Sequence, residues 1–340
     1  MNILGIESSC DETAAAIVQD GRTVLSSVIN SQIAIHAQYG GVVPEVAARS
    51  HIEAINPVID QALSEAHLTW DEIDAIAVTY GPGLVGSLLI GTLAARTLAI
   101  LKNKPIFPVD HIKAHIYANF LDDTPPEFPL LALVVSGGHS QIMLFNSHQD
   151  YKLIGQTVDD AVGEAFDKVA KVIGLPYPGG PAIAKAALNG DPLAYQLPKA
   201  KLENPYDFSF SGLKTAVLRA VQKEVGVAID FPSSQLAELL NDAQRCDFAA
   251  SFQRVAIESL TEKLHQAYSQ YQPASVVLAG GVAANQALRQ TIEKSLPIKP
   301  YYPPTELCTD NAAMIASLGY FESQITEPAD PYRIEANPSL

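Results

Sequence analysis

The sequence predicts an α/β fold that is built from two similar halves. Strand-like apolar runs alternate with longer helical stretches along the 340 residues, which is the pattern of α/β proteins. Hydrophobic residues make up 48% of the chain and charged residues 17%, which is enough for two hydrophobic cores. The order of strand, small polar turn and strand occurs near residue 5 and again near residue 135, and this repetition indicates a duplication.

The first half opens on a predicted hairpin. The apolar run 3–7 enters the small polar segment 8–13, and 14–18 is the second strand. Further on, the strand 76–79 enters the glycine-rich turn 81–86, which begins a helix. Turns of this kind, at a hairpin or at a helix N-terminus, present backbone N–H groups that suit anions.

The second half repeats this order. Strands are predicted at 131–135 and 141–145, on either side of Ser136–Ser140, and the strand 276–279 enters the turn 280–285 before another helix. If both halves share one plan, the second carries about 68 additional residues. The sequence therefore predicts these divisions of the chain: a first lobe 1–128, a second lobe 129–308 with an insertion near 159–240, a terminal helix and tail 309–340, and a Pro-rich linker at 121–129.

Paired halves that each open on an anion-binding hairpin are typical of the actin-like (ASKHA) architecture of actin and hexokinase. Two lobes of that fold enclose a ligand in the cleft between them. Any single glycine-rich turn is explained equally well by a backbone that needs positive φ. Four such turns at matching positions favour the actin-like fold.

Charge and cysteine content limit the classes of function. The formal net charge is −15, which opposes unaided binding of nucleic acid because phosphates bind Lys and Arg. Residues 1–95 carry eleven acidic side chains and two basic ones, whereas 185–223 is net basic. Three cysteines cannot form a disulfide framework, and no signal peptide is apparent, so we expect a cytoplasmic protein. The apolar stretch 84–101 is interrupted by Arg96 and two glycines, which favours a buried helix over a membrane span.

The strongest chemical signal is a pair of histidines. His111 and His115 follow Asp110, a predicted helix N-cap, and their spacing of four places them on one helix face. Such a pair is a common platform for a metal ion, although two ordinary helix histidines give the same pattern. No Glu stands beside His111, so a metallopeptidase is disfavoured. We expect Asp310, at the mouth of the last helix, as the third ligand; its alternative role is an N-cap. Two histidines and one carboxylate suit Fe²⁺, and Zn²⁺ is the alternative.

Taken in order, the motifs of the chain resemble the tRNA N6-adenosine threonylcarbamoyltransferase family, known as TsaD in bacteria. The resemblance spans nearly the whole chain. Its matching segments are Gly5–Thr13, Tyr39–Glu45, Gly81–Gly86, His111 with His115, Val135–His139, Asp159–Lys168, Tyr177–Gly180, Phe208–Thr215, Ala279–Asn285 and Cys308–Asn311. Lys113 and Ala114 stand where many bacterial relatives have Glu and Gly, and Ala312 replaces a frequent Gly.

The resemblance implies an activity and a set of site residues. The implied reaction transfers the threonylcarbamoyl group from threonylcarbamoyl-AMP to N6 of the adenosine immediately 3′ of the anticodon, in tRNAs that read codons beginning with A. The implied metal, generally iron, is held by His111, His115 and Asp310. The implied substrate contacts are Val134, Val135, Ser136, Gly137, Gly138, Asp167, Gly180 and Asn285. Glu7, Asp11 and Glu12 are candidates for orienting the metal ligands or for accepting the amine proton, and Asp11 and Glu12 are the catalytic candidates among them. The sequence does not distinguish these two roles.

The resemblance also implies partners. Besides the donor and tRNA, these are the paralogous TsaB subunit and the ATPase TsaE, with no membrane involved. We expect the acidic N-terminal half to dock a partner and the net-basic stretch to contact the anticodon arm; its basic residues are Lys185, Lys199, Lys201, Lys214, Arg219 and Lys223. The main alternative function is an actin-like sugar or acetate kinase, which needs Mg²⁺-ATP and no histidine pair. A non-catalytic scaffold is the second alternative.

Overall fold

The computed structural model describes residues 1–122 and 124–340. These residues form two compact units, Met1–Pro126 with Pro303–Leu340, and Glu127–Tyr302. The division differs from the predicted one in three respects: the first break falls two residues earlier, the second unit ends at Tyr302 and not at 308, and the terminal helix and tail belong to the first unit. They join it because the last helix packs on strands of the N-terminal sheet. The predicted linker 121–129 includes Asp123, which lies outside the described residues.

The first unit contains a five-stranded sheet. Its spatial order is β3-β2-β1-β4-β5, antiparallel for β1 with β2 and β2 with β3, and parallel for β1 with β4 and β4 with β5. The strands are β1 (Asn2–Glu7), β2 (Glu12–Gln19), β3 (Thr23–Ser31), β4 (Ala75–Gly81) and β5 (Ile106–Asp110). The predicted strands 3–7, 14–18 and 76–79 are therefore confirmed.

Helices cover both faces of this sheet: the face whose core includes Leu4, Ile6, Ile17 and Val78, and the opposite face, where the last helix lies against Gly5 and Ala77. The helix α2 packs against β2 and β3, α3 packs against β4, and α10 packs against β1 and β2. The helices of the unit are α1 (Ile33–His36), α2 (Pro44–Glu65), α3 (Val85–Lys102), α4 (His111–Tyr117) and α10 (Ala312–Ser323).

The second unit repeats the strand order of the first. Its sheet has the order β8-β7-β6-β9, with antiparallel pairing of β6 with β7 and β7 with β8, and parallel pairing of β6 with β9. The strands are β6 (Leu130–Val135), β7 (Ser140–Phe145), β8 (Tyr151–Gln156) and β9 (Ser275–Ala279). The arrangement of β6 to β9 matches that of β1 to β4, so the duplicated actin-like fold that the sequence predicts is confirmed.

The two units differ in the connection before the parallel strand. Two helices lie between β3 and β4, whereas four lie between β8 and β9 in the part of the chain that the structure describes. Three of those four fall within 159–240, the range of the predicted insertion. The helices of the second unit are α5 (Val162–Ile173), α6 (Gly179–Ala187), α7 (Ser211–Glu224), α8 (Asp242–Tyr271) and α9 (Gln286–Ser295).

The helix α3 is less buried than its sequence predicts. Leu88, Ala95 and Ala99 are buried, but Leu89 and Leu93 on the opposite face are exposed. By length and composition alone, α3 would also be able to cross a membrane, a test that core helices pass as well, and 33% of it is buried. The prediction of a buried helix holds only for the face that packs on α2 and β4.

Candidate functional site

The predicted histidine pair lies at the start of α4, directly after β5. The Asp110 carboxylate accepts hydrogen bonds from the backbone N–H groups of Ile112 (2.7 Å) and Lys113 (3.1 Å), which confirms Asp110 as the N-cap. His111 and His115 are both buried, and their ring centroids are 4.7 Å apart. A single helical turn therefore presents two imidazoles to one point.

The structure brings Asp310 to the same point. Its Oδ1 lies 3.6 Å from Nε2 of His111 and 3.3 Å from Nε2 of His115. One ligand atom from each of the three residues lies within 4.8 Å of the other two. The alternative role of Asp310 as N-cap of the last helix is wrong, because Asn311 caps α10 by accepting from Met314 N at 3.0 Å. The carboxylate of Asp310 is thus not used as a cap.

The carboxylate of Glu7 lies beside Nδ1 of His111, whereas Nε2 is the ring nitrogen near Asp310. Nδ1 of His111 lies 3.1 Å from Glu7 Oε2 and 3.2 Å from Ser9 Oγ, and Thr79 Oγ1 donates to Glu7 Oε2 at 2.5 Å. Burial lowers the pKa of His111, but Glu7 and Asp310 outweigh it and raise that pKa to about 9. A proton on Nδ1 directs Nε2 toward Asp310, and such a carboxylate behind a histidine is the usual support of a metal ligand.

His115 supplies the clearest test of whether the site suits a metal ion. Both of its ring nitrogens are buried, and neither has a hydrogen-bond partner among the described residues. Leaving a buried polar atom unsatisfied costs about 1–3 kcal/mol. A neutral imidazole with an unused lone pair beside a carboxylate is a donor set that a divalent metal satisfies. The three residues therefore form a candidate metal site.

Asp11 and Glu12, the catalytic candidates, lie at the start of β2 in the same unit. Ser31 donates to Glu12 Oε1 at 2.8 Å, whereas Oε2 is buried without a hydrogen-bond partner among the described residues. Burial raises the pKa of Glu12 to about 8, opposed by Ser31 and reinforced by Asp11, Asp310 and Glu7. Burial and Asp310 also raise the pKa of Asp11. A carboxyl with its pKa near neutrality can exchange a proton at physiological pH.

The turns after β6 and β9, which carry part of the predicted substrate contacts, lie together at one edge of the sheet of the second unit. Because β6 and β9 are parallel neighbours, the turns that follow them lie side by side. The backbone N–H groups of Gly163 and Glu164, in the first turn of α5, donate to the carbonyls of Ser136 and Gly137. Gly280, after β9, has φ +89°, and a Cβ there would lie 2.4 Å from Val135 O. Only glycine fits this contact without strain.

Not all of these residues offer side chains. Val134 and Val135 are fully buried in β6, so only their backbone can meet a ligand. A Cβ on Gly137, Gly138 or Gly180 would meet nothing within 4 Å. These three glycines therefore border open space.

The polar members of the set already have partners. Asp167 Oδ1 accepts from Gly179 N at 2.6 Å, one residue before Gly180 at the start of α6. Asn285 caps α9 by accepting from Leu288 N at 3.1 Å, and it donates to Gln253 Oε1 at 2.8 Å. Asn285 is therefore the N-cap of α9, and a ligand would share its amide with these bonds.

The net-basic stretch is less available than its composition suggests. Lys199 pairs with Glu258 and Glu262, and Lys214 pairs with Asp160. Arg219 donates to Gln222 and to the carbonyl of Ile229. Three of these six basic residues, Lys185, Lys201 and Lys223, are exposed and have neither an ion pair nor a side-chain hydrogen bond in the described part of the chain.

Sequence reasoning missed several residues that support the candidate metal site. Ser9 and Thr79 contact Glu7 or His111, and His51 donates from Nε2 to Cys10 O at 2.9 Å while Nδ1 accepts from Thr13 Oγ1 at 2.7 Å. Ser9 lies within a segment that the sequence marks, but its role needs a contact with a residue about a hundred positions away. The three cysteines are free, as predicted.

Comparison with solved structures supports the fold alone. HypF of T. kodakarensis superposes with a TM-score of 0.64 at 13% identity, over 95% of this chain and 48% of that one. Component A of the (R)-2-hydroxyglutaryl-CoA dehydratase of Acidaminococcus fermentans gives a TM-score of 0.51 at 13% identity, over 95% of this chain and 99% of that one.

Sequence relatives are far closer. A protein of Symbiobacterium thermophilum named tRNA N6-adenosine threonylcarbamoyltransferase is 55% identical over 94% of this chain and 91% of its own length. A protein of Thermomicrobium roseum with the same name is 52% identical over 97% of this chain and 94% of its own length. The family model described as TsaD, tRNA N6-adenosine threonylcarbamoyltransferase, matches residues 23–317. These similarities do not favour the kinase alternative, and they show that the chain belongs to the tRNA N6-adenosine threonylcarbamoyltransferase family.

Proposed function

We propose that this chain transfers the threonylcarbamoyl group from threonylcarbamoyl-AMP to N6 of the adenosine immediately 3′ of the anticodon, in tRNAs that read codons beginning with A. The observation that carries the proposal is the convergence of His111, His115 and Asp310, backed by Glu7, in a member of this family. The donor is a mixed anhydride and is already activated. The enzyme must therefore orient it, stabilise the leaving phosphate and remove one proton.

His111, His115 and Asp310 would hold one divalent metal. Two imidazoles and a carboxylate suit Fe²⁺, with Zn²⁺ as the alternative. When bound, the metal supplies a Lewis acid that polarises the donor and neutralises charge on the leaving phosphate. Glu7 keeps the proton of His111 on Nδ1, so that Nε2 stays available as a ligand.

The chain's own groups complete the transfer. The N6 nitrogen forms a bond to the carbamoyl carbon, the bond from that carbon to the phosphate oxygen breaks, and AMP leaves. Glu12 accepts the N6 proton on its carboxylate, of which only Oε1 has a hydrogen-bond partner among the described residues. Its pKa of about 8 lies near the value that serves general-base catalysis at neutral pH. Asp11 is the second candidate for this role.

The adenylate part of the donor is assigned to the turns of the second unit. The open space beside Gly137, Gly138 and Gly180 leaves room for a phosphate or ribose against the backbone. The main chain of Val134 and Val135 and the side chains of Ser136, Asp167 and Asn285 complete the assigned contacts. Backbone N–H groups in such turns can stabilise negative charge on the leaving group.

Reconstitution tests the proposal directly. The purified chain, loaded with Fe²⁺ and mixed with synthetic threonylcarbamoyl-AMP, unmodified tRNA, TsaB and TsaE, is expected to form threonylcarbamoyladenosine, measured by nucleoside mass spectrometry. Glu12→Gln is expected to lower kcat by roughly 10²-fold or more, the usual contribution of a general base. Phosphorylation of a sugar or acetate from Mg²⁺-ATP, without tRNA product, would instead support the kinase alternative.

We further propose that TsaB docks on the exposed face of α2 and α3. Ile52 on α2 and Val85, Leu89 and Leu93 on α3 are large apolar side chains that remain exposed, and the two helices pack against each other. Residues 1–95, which include α2 and the first half of α3, carry an acidic excess. Leu89→Asp with Leu93→Asp is expected to abolish co-elution with TsaB. Leu188→Asp, at an exposed leucine of the second unit, is the matched control.

TsaE and tRNA are proposed as the remaining partners, in the cytoplasm. Because Lys199 is held by Glu258 and Glu262, Lys201 and Lys223 are the better candidates for contact with the anticodon arm. Reversing the charge of both is expected to weaken tRNA binding and to reduce its salt dependence, with donor affinity unchanged. Unaltered salt dependence in this double variant would rule out the assigned surface.

A further inference from the structure

The segment Tyr39–Glu45 is a motif of the sequence that the proposed mechanism leaves without a role. It follows α1 and leads into α2. Tyr39 is 58% exposed, although a tyrosine ring normally buries much of its surface. Ile33 and Ile35, on the preceding turn, are exposed as well. The segment therefore displays an aromatic ring with apolar neighbours.

The backbone that carries Tyr39 is held in place by a buried histidine. His36 is fully buried, and its Nδ1 accepts from Val43 N at 3.3 Å. Nε2 must then carry the proton, which it donates to Gln32 Oε1 at 3.1 Å. The carbonyl of His36 also accepts from the N–H groups of Tyr39 and Gly41. The side chain and the carbonyl of His36 thus hold together the backbone at Tyr39, Gly41 and Val43, the backbone that carries the exposed ring.

The segment is continuous with the two catalytic candidates. Gln32 N donates to the carbonyl of Asp11 at 3.1 Å, and Ser31 donates to the Glu12 carboxylate. The helix α1 that leads to Tyr39 therefore starts beside the backbone of Asp11 and the carboxylate of Glu12, the group proposed to take the N6 proton. An adenine whose amine faces Glu12 would have its ring near this turn.

The charge around Tyr39 selects the part of a tRNA that can bind there. No Lys or Arg lies between Arg22 and Arg49, so the segment offers no cation to a phosphate. A neutral purine ring needs none, because it binds by stacking. An enzyme that modifies a base in an RNA loop must present that base unstacked from its neighbours.

We propose that Tyr39 is the stacking platform for the unpaired acceptor adenine of tRNA, an inference that rests on the function proposed above. The ring of Tyr39 receives one face of the purine, and the exposed side chains of Ile33 and Ile35 add apolar surface on the preceding turn. Recognition at this point is by stacking and carries no ionic contribution.

Steady-state kinetics of the assembled system, with TsaB and TsaE present, test this role. Tyr39→Ala is expected to raise KM for tRNA by roughly tenfold or more, the usual effect of removing one stacked aromatic, while KM for threonylcarbamoyl-AMP stays constant. Tyr39→Phe keeps the ring and is expected to stay near wild type. Tyr332→Ala removes a tyrosine that is 71% exposed in the C-terminal tail of the same unit and is expected to change neither constant.

Two further measurements distinguish stacking on the base from a contact with the phosphate backbone. The slope of log affinity against log salt is expected to be the same for Tyr39→Ala and wild type, because no phosphate contact is lost. An anticodon stem-loop with 8-azidoadenosine at the acceptor position is expected to cross-link to the peptide that contains Tyr39.

The inference fails if Tyr39→Ala matches wild type, if Tyr39→Phe is as impaired as Tyr39→Ala, or if Tyr332→Ala gives the same defect. It also fails if Tyr39→Ala loses co-elution with TsaB, since the ring would then be a protein contact. Absence of threonylcarbamoyladenosine from the wild-type reaction overturns the proposed function and this inference together, whereas an active wild type with an unaffected Tyr39→Ala overturns the inference alone.

Discussion

The candidate metal site and the turns of the second unit are built in opposite ways. In the first unit, side chains converge: three candidate ligands meet, Glu7 supports one of them, and both nitrogens of His115 lack a hydrogen-bond partner among the described residues. In the second unit, few of the assigned residues offer a free side chain to a ligand. Val134 and Val135 are buried, Asn285 is engaged as a cap, and three glycines border open space.

The difference teaches what each region can recognise. A cluster of unsatisfied side chains selects a ligand by chemical type, because only certain ions satisfy two imidazoles and a carboxylate. A turn of backbone and glycine selects by shape and by anionic charge. Substitutions are therefore expected to act through lost coordination in the first region and through lost space in the second.

The largest effect is expected at His115. His115→Leu removes a ligand, and metal affinity is expected to fall by roughly 100-fold or more, with loss of transfer activity. The metal-free variant is expected to be at least as stable as metal-free wild type, because an unsatisfied buried imidazole is replaced by an apolar side chain. Metal content by mass spectrometry and chemical unfolding in chelator check the two halves of this prediction. A variant that retains stoichiometric metal would exclude His115 as a ligand.

A second, smaller effect is expected from filling the open space. Gly138→Val is expected to weaken binding of threonylcarbamoyl-AMP about tenfold or more by calorimetry, because a side chain would occupy room assigned to the donor. The free energy of unfolding is expected to change by less than about 0.5 kcal/mol, since the Cβ meets no atom within 4 Å. Gly212→Val, at another glycine with open surroundings in the same unit, is the control. Equal affinities in both variants would contradict the assignment.

The features of the fold and the site that the sequence predicts correctly depend on residues close together in the chain. The predicted strands of both halves and the Asp110 cap depend on residues adjacent in sequence, and the structure confirms them. The histidine pair was visible because a spacing of four is a property of one helix. Asp310 was placed beside it by reasoning that also allowed a cap, and the cap turned out to be Asn311.

Contacts between distant residues explain what was missed. Lys199 was counted as a free cation, yet it pairs with Glu258 and Glu262 on α8. Ser9 and Thr79 support Glu7 and His111 only because β1, β4 and β5 are neighbours in the sheet. The exposed face of α3 was misjudged because composition does not show which face a uniformly apolar helix buries. In the second unit, backbone and glycine carry the assigned contacts, so only the family resemblance marked them.

The third prediction concerns pH and the carboxylates of the first unit. The pKa of Glu12 is raised from 4.5 to about 8 in the folded chain. Protonated Glu12 therefore contributes fully to the free energy of unfolding at pH values below its pKa in the unfolded chain. That contribution is lost as pH rises through about 8. Metal-free wild type is expected to lose stability between pH 4.5 and 8, in part because the buried Glu12 side chain becomes charged. Metal-free Glu12→Gln is expected to lack that part of the loss. Chemical unfolding across that range measures it. Parallel stability curves for variant and wild type would show that Glu12 titrates normally.

The smallest effect on metal and donor affinity is expected from the C-terminal tail, which is hydrogen-bonded to the Arg96 side chain of α3. Arg96 donates to the carbonyls of Pro331, Tyr332 and Ile334. Beyond them the tail reaches the turn after β4, where Gly83 N donates to Pro338 O and Leu84 N donates to Ser9 O.

Arg96→Met is expected to cost about 1.5 kcal/mol of stability, the lower range for hydrogen bonds made by a charged group, because Arg96 is only partly buried. Arg96→Met is also expected to lower metal affinity slightly, because the tail reaches the turn beside Ser9 and Ser9 contacts His111. Donor affinity is expected to stay constant, because the assigned donor contacts lie in the other unit. Arg333→Met is the control, since the Arg333 side chain makes an exposed ion pair with Asp330 in the described part of the chain. Loss of donor affinity in Arg96→Met, with metal affinity intact, would mean that the tail supports the donor-binding turns of the second unit. The tail would then not act on the candidate metal site, contrary to this prediction.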